Sequence, residues 1–178
     1  MKFDINNPAF LQESGSAGKS KSVMTLFSAS NEFLDFSLEV KGSGSLTYLD
    51  QDEETITEMI SDGLNNFRIK TTDKPEGRIV INANVLSFIT NGDSIAEYLN
   101  ELDISNCKSL RIFDMGGGFS NLVILKMKAD KELLSYRMAE VLSESPGSGN
   151  VLFLVANQPY NELLVEAAET QEWQVEYI

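Results

Sequence analysis

The hydrophobic rhythm of the chain changes twice. From Val23 to about residue 84 it consists of short runs, most of them rich in β-branched and aromatic residues: "VMTLFSAS", "FLDFSLEV", "SLTYLD", "ETITEMI", "NNFRIK" and "GRIVINA". In "FLDFSLEV", Leu34, Phe36, Leu38 and Val40 alternate with Asp35, Ser37 and Glu39, the period of a half-buried strand. "KGSGS" and "DKPEG" separate the runs and carry turn chemistry. Several short strands at this spacing predict a small β-sandwich-like domain over residues 23–84.

From residue 85 an apolar triplet recurs. It reads Leu99, Leu102, Ile104, then Leu110, Phe113, Met115, then Leu122, Leu125, Met127, with a weaker copy at Val85, Phe88, Thr90. The clear copies step by 11 and 12 residues, and two steps fall within the period of a leucine-rich repeat. A short rung cannot bury its face alone, so stacked rungs are expected. After Met127 the period lengthens: Leu134, Met138, Val141 and Leu142 share one face of a helix over about 131–144, which "SPGSG" stops. "NVLFLVAN" reads as a strand covered on both faces, "PYNELLVEAAETQ" as a helix and "WQVEYI" as a closing strand.

The predicted fold class is α+β. A β-sandwich-like domain (23–84) leads into a short α/β leucine-rich-repeat solenoid (85–178) closed by a helix-strand-helix-strand cap. Residues 1–22, ending in "ESGSAGKSKS", read as a flexible leader or linker.

The residues of the second half also carry a resemblance. "LNELDISNCKSLRIFDM" resembles the "LxxLDVSxNxxLxxLxC" rungs of bacterial surface leucine-rich-repeat proteins of the Bacteroides type. The stretch from Arg137 to Ile178 is similar to that family's closing layout, with Asn157, Pro159 and Trp173 in matching places and departures at Gln158 and Glu172. "GSLTYLDQDEETITE" occupies the place of the family's preceding sandwich motif but lacks its Trp and both later glycines. The resemblance implies an exported protein, at the cell surface or in the periplasm, with a binding or adhesion role and no catalytic residues.

Charge and chemistry narrow the picture. The net charge is −13 and the pI about 4.3, which disfavours nucleic acid and anionic lipid as partners. Histidine is absent, so His-dependent triads are excluded and any metal site would be built from oxygens. The lone Cys107 reads as a small buried hydrophobe. No apolar stretch is long enough to span a membrane, and "MKFDINNPAF" lacks the apolar core of a signal peptide. Gly116, Gly117 and Gly118 lack the Lys and the spacing of a phosphate loop and read as a turn between rungs. "LDQDEETITE" concentrates Asp50, Asp52, Glu53 and Glu54 but lacks the glycine and glutamate of a calcium loop, and reads as a solvated hairpin tip.

No cofactor is expected. The expected partner is a protein or a glycan, met by the outward residues Arg111, Asp114, Lys126 and Lys128 on adjacent rungs. The alternative function is a carboxylate-dependent glycan hydrolase using Asp103 and Asp114 as an acid-base pair. Oligomeric state is not read from the sequence.

Overall fold

The computed structural model describes residues 22–30, 32–90, 94–114 and 119–178. Its architecture is mostly β and sandwich-like, with two facing sheets. In chain order the strands are β1 (Val23–Phe27), β2 (Leu34–Val40), β3 (Gly44–Leu49), β4 (Thr55–Ile60), β5 (Gly63–Ile69), β6 (Ile79–Asn82), β7 (Val85–Thr90), β8 (Glu101–Asp103), β9 (Ile112–Asp114), β10 (Ile124–Met127), β11 (Val151–Leu154) and β12 (Gln174–Tyr177). Helix α1 spans Ser94–Tyr98, α2 Glu132–Ser143 and α3 Asn161–Thr170. The larger sheet runs β12-β11-β10-β8-β1-β6-β3-β4, and the smaller runs β5-β2-β7-β9.

Alternation builds both layers. In β2, Leu34, Phe36, Leu38 and Val40 are all buried, and in β1, Met24 and Leu26 are fully so. These faces meet in one continuous core that extends to Leu152, Leu164 and Trp173. In the smaller sheet four phenylalanines form a ladder. Phe67, Phe36, Phe88 and Phe113 follow one another at ring separations of 5.3, 5.4 and 5.1 Å, and Phe119 adds a fifth ring at 6.3 Å. Helix α2 packs beside β9 and against α3, so the helices extend the layer of the smaller sheet over the inner face of β10 and β11.

The larger sheet changes character along its width. From β4 to β8 every pair is antiparallel; β8, β10, β11 and β12 then pair in parallel. At the N-terminal ends of the parallel strands, asparagines tie the connections together. Asn100 Oδ1 accepts the N–H of Ala29 at 2.6 Å, and its Nδ2 donates to the carbonyl of Asn121 at 3.1 Å. Asn150 Nδ2 donates to the carbonyls of Leu122 and Pro146 at 2.7 and 2.8 Å. Trp173 is buried, donates from Nε1 to the Ser145 carbonyl at 3.2 Å, and lies against Gly147, where a Cβ would collide with the indole.

The architecture overturns the predicted fold class. There is no solenoid among the described residues. The described apolar members of the triplets are buried, but successive triplets enter opposite layers: Phe88 in β7 and Phe113 in β9 belong to the smaller sheet, Leu102 in β8 and Leu125 in β10 to the larger. They face one another across a core and do not stack as steps of one ladder. The helices and strands after Met127 accordingly cap no stack; β11 and β12 extend the larger sheet to its edge. Both sheets draw strands from either side of residue 84.

Residues 1–21 of the expected leader lie outside the described residues. Ser22 is buried, and its hydroxyl accepts the N–H of Lys108 at 3.2 Å. Met115 and the Gly116–Gly118 turn also lie outside the described residues.

Because Phe88 sits mid-ladder and fully buried, Phe88→Ala should cost about 3–5 kcal/mol of stability. Met59→Ala, at a side chain 75% exposed on the edge strand β4, should change it by no more than about 0.5 kcal/mol. Urea denaturation of both variants beside the parent chain measures the difference.

Candidate functional site

One row of side chains crosses the whole solvent face of the larger sheet. Strand register places Thr57, Thr47, Val80 and Thr25 in line with Asp103, Lys126, Phe153 and Glu176, one residue from each of the eight strands. The inner face of this sheet is buried over its central strands, whereas the row is half-buried or exposed, so it forms an open surface. In the row, the Lys126 ammonium stands 5.3 Å from the centre of the Phe153 ring. A cation held over an aromatic face gains from the ring's negative potential. A parallel row includes Phe27, Glu101, Ile124 and Val151, where Arg78 pairs with Glu101 and its guanidinium lies 5.6 Å from the Phe27 ring centre.

The four residues singled out in the sequence do not share one surface. Lys126 and Lys128 lie two positions apart on and just past β10, so they lean to the same open face. Lys128 pairs with Asp130 at 2.8 Å. Arg111 precedes β9, at the end of the connection that leaves β8, and its N–H donates to the Leu86 carbonyl at 2.9 Å. Asp114 lies on the other layer, exposed on the outer side of β9, and Arg137 of α2 reaches it at 3.4 Å.

The carboxylate pair of the alternative reading is also separated. Asp103 belongs to the larger sheet and Asp114 to the smaller; each stands on the outer side of its own layer, with the core between them. Facing sheets pack about 10 Å apart backbone to backbone, and these side chains diverge from there. They cannot flank one glycosidic bond. Asp103 instead caps its own turn, accepting the Ser105 N–H at 3.0 Å and the Ser105 hydroxyl at 2.6 Å.

The acidic hairpin tip closes on itself. Asp50 Oδ1 accepts the N–H groups of Asp52 and Glu54, each at 2.9 Å, and Glu53 pairs with Lys74. Among the described residues no group of three or more carboxylate or thiol side chains is arranged to hold a metal ion. A shallow groove of about 490 Å³ lies between α3 and β12, lined by Glu162, Glu166, Glu169 and Tyr177 among others.

Two residues that the sequence reading passed over stand out. Phe153 lies in the apolar run "NVLFLVAN", read as covered on both faces; Leu152 and Leu154 are buried, but Val151 and Phe153 face the open side. Lys131, half-buried at the start of α2, donates from Nζ to the Cys107 carbonyl at 3.2 Å. Burial holds its ammonium below the ordinary lysine range; Asp130 and Cys107 act against this, and Lys128 and Arg111 add to it. Only position marked Lys131 in the sequence, as the first residue of the predicted helix.

No family model matches the chain, and no curated protein matches it, so neither comparison supports the resemblance to surface leucine-rich-repeat proteins. A solved structure of a family two carbohydrate esterase from Clostridium thermocellum in complex with cellohexaose is similar over 88% of this chain and 81% of that chain, at 8% identity and a TM-score of 0.25. A likeness at that score carries no argument about fold or activity. No helix among the described residues is long and apolar enough to cross a membrane.

Cys107 is buried, and burial first, then the nearby Asp103 charge, pushes its thiol from an ordinary 9.0 up to about 12, against the pull of Lys131. The unfolded chain gives up this proton near its ordinary value while the folded chain keeps it. Stability should therefore fall as pH rises from about 9 towards 12, by up to about 1.4 kcal/mol per pH unit. Urea denaturation between pH 8 and 10.5 should show this added slope in the parent chain and its loss in Cys107→Ala.

Proposed function

We propose that the chain is a non-enzymatic interaction module that binds a protein or glycan ligand on the open face of its larger sheet. The observation that supports this reading is the Lys126–Phe153 pair, set in an open row that spans every strand of that sheet. An aromatic ring excludes water from a contact, while a cation and neighbouring hydroxyls give it direction. Thr25 and Thr47 supply hydroxyls along the same row, and Val80 adds apolar area. The underlying strands are hydrogen-bonded on both sides except at the two sheet edges, so the face is a rigid platform that needs little ordering on contact.

The placement of Asp103 and Asp114 in different sheets supports binding over the hydrolase reading that paired them. Of the four residues first singled out, Lys126 and Lys128 belong to the proposed face.

Arrays of immobilised glycans and proteins, probed with the full chain, should yield a ligand whose affinity drops about tenfold or more in Phe153→Ala. The same ligand should bind Leu133→Ala unchanged, because Leu133 is exposed on α2 in the other layer. A ligand indifferent to Phe153, or the absence of any ligand, would count against the proposal.

A further inference from the structure

Several of the cations of this acidic chain come together at one end of its parallel strands. Residues 103–132 carry five cations, Lys108, Arg111, Lys126, Lys128 and Lys131, against four carboxylates, Asp103, Asp114, Asp130 and Glu132, whereas the whole chain has a net charge of −13. The fold gathers them further. The connections 104–111 and 128–131 leave the C-terminal ends of β8 and β10, which are hydrogen-bonded parallel neighbours. This is the end of a parallel sheet at which α/β proteins commonly carry ligands. The bond from Lys131 Nζ to the Cys107 carbonyl, at 3.2 Å, joins the two connections. Asp130 pairs with Lys128, and Asp114 is turned to Arg137 on the other layer. Among the described residues no carboxylate lies within ion-pair distance of Arg111 or Lys131. The corner therefore holds more cations than carboxylates, and Arg111 and Lys128 work against the charge of its half-buried lysine while Asp130 supports it. A bound anion would relieve both.

We propose that Arg111, Lys128 and Lys131 form a binding corner for the anionic oxygens, carboxylate or sulfate, of an acidic glycan whose neighbouring sugars lie along the Lys126–Phe153 row. The inference deepens the interaction-module reading and rests on it. Two features favour a glycan over an acidic peptide. Lys128 continues the strand that carries Lys126, so the corner opens directly onto a surface of one ring and several hydroxyls. Strands β8 and β10 are interior, with backbone groups already paired on both sides, so no open edge is available for a peptide to extend. The strongly negative remainder of the chain also repels densely charged polyanions, which suits an anionic group spaced along a sugar chain.

The test is calorimetric titration of the full chain with polygalacturonate, chondroitin sulfate, neutral dextran and polyglutamate at low and moderate salt. The expected result is binding of the uronate or the sulfated polymer, weakened by salt, with dextran and polyglutamate inert. Arg111→Glu/Lys128→Glu should lower that affinity about tenfold or more, and Lys131→Gln should lower it in the same direction, with circular dichroism unchanged. Lys41→Glu, an exposed cation in the turn between β2 and β3, should leave it intact. Equal binding by the corner variants overturns the proposal, as does polyglutamate binding in place of the glycans. A ligand lost in Phe153→Ala but retained in the corner variants overturns this inference and leaves the interaction module standing. Failure of every ligand, on these polymers and on the arrays, overturns both.

Discussion

The contact on which the rest of the molecule depends is the phenylalanine ladder of the smaller sheet. Phe67, Phe36, Phe88 and Phe113 come from four different strands, and together they set the spacing between the layers. Rings this large bury more apolar area than any aliphatic side chain in the core. They also fix lateral order, since β5, β2, β7 and β9 must lie side by side for the rings to follow one another. With that layer in place, the larger sheet has a surface on which to lay Met24, Leu26, Ile81 and Leu102. Helices α2 and α3 then need cover only the parallel portion that the smaller sheet does not reach.

This division of labour explains why one face of the larger sheet is free. Its inner side is covered over the central strands, first by the smaller sheet and then by the helices. Among the described residues no element covers its outer side, where threonine, valine and charged residues are mixed with Phe27, Ile124 and Phe153. Threonine and valine suit such a half-covered pleated surface. The same constraint that closes the core thus leaves a broad platform, with its cations gathered towards the end where the parallel strands finish.

Much of the fold was legible, because burial imposes periods that a sequence must display. Alternation in β2 located its buried face, and the lengthened period after Met127 located α2. The layer assignment was not legible. A buried triplet every 11 or 12 residues satisfies a stacked ladder and a pair of facing sheets equally well, since each asks only that one side of each strand be apolar. What distinguishes them is the partner of each strand. That is decided by contacts such as Phe88 with Phe113 and Leu102 with Leu125, which no local pattern records. The candidate site fared similarly. Arg111, Lys126 and Lys128 were identifiable as outward cations, but Asp114 was assigned to the same surface only because its strand was stacked in the wrong layer. Lys131 and Phe153 were hidden for opposite reasons, one by sitting at a helix start and the other inside an apolar run.

The seam between β1 and β8 has a kinetic consequence. It pairs Thr25 with Asp103, 78 positions later, and it alone joins the antiparallel part of the larger sheet to the parallel part. Closing so long a loop costs chain entropy before any contact repays it, whereas the hairpin of β3 and β4 and the crossover from β10 to β11 form over short separations. That seam therefore raises the contact order of the fold above that of its local hairpins.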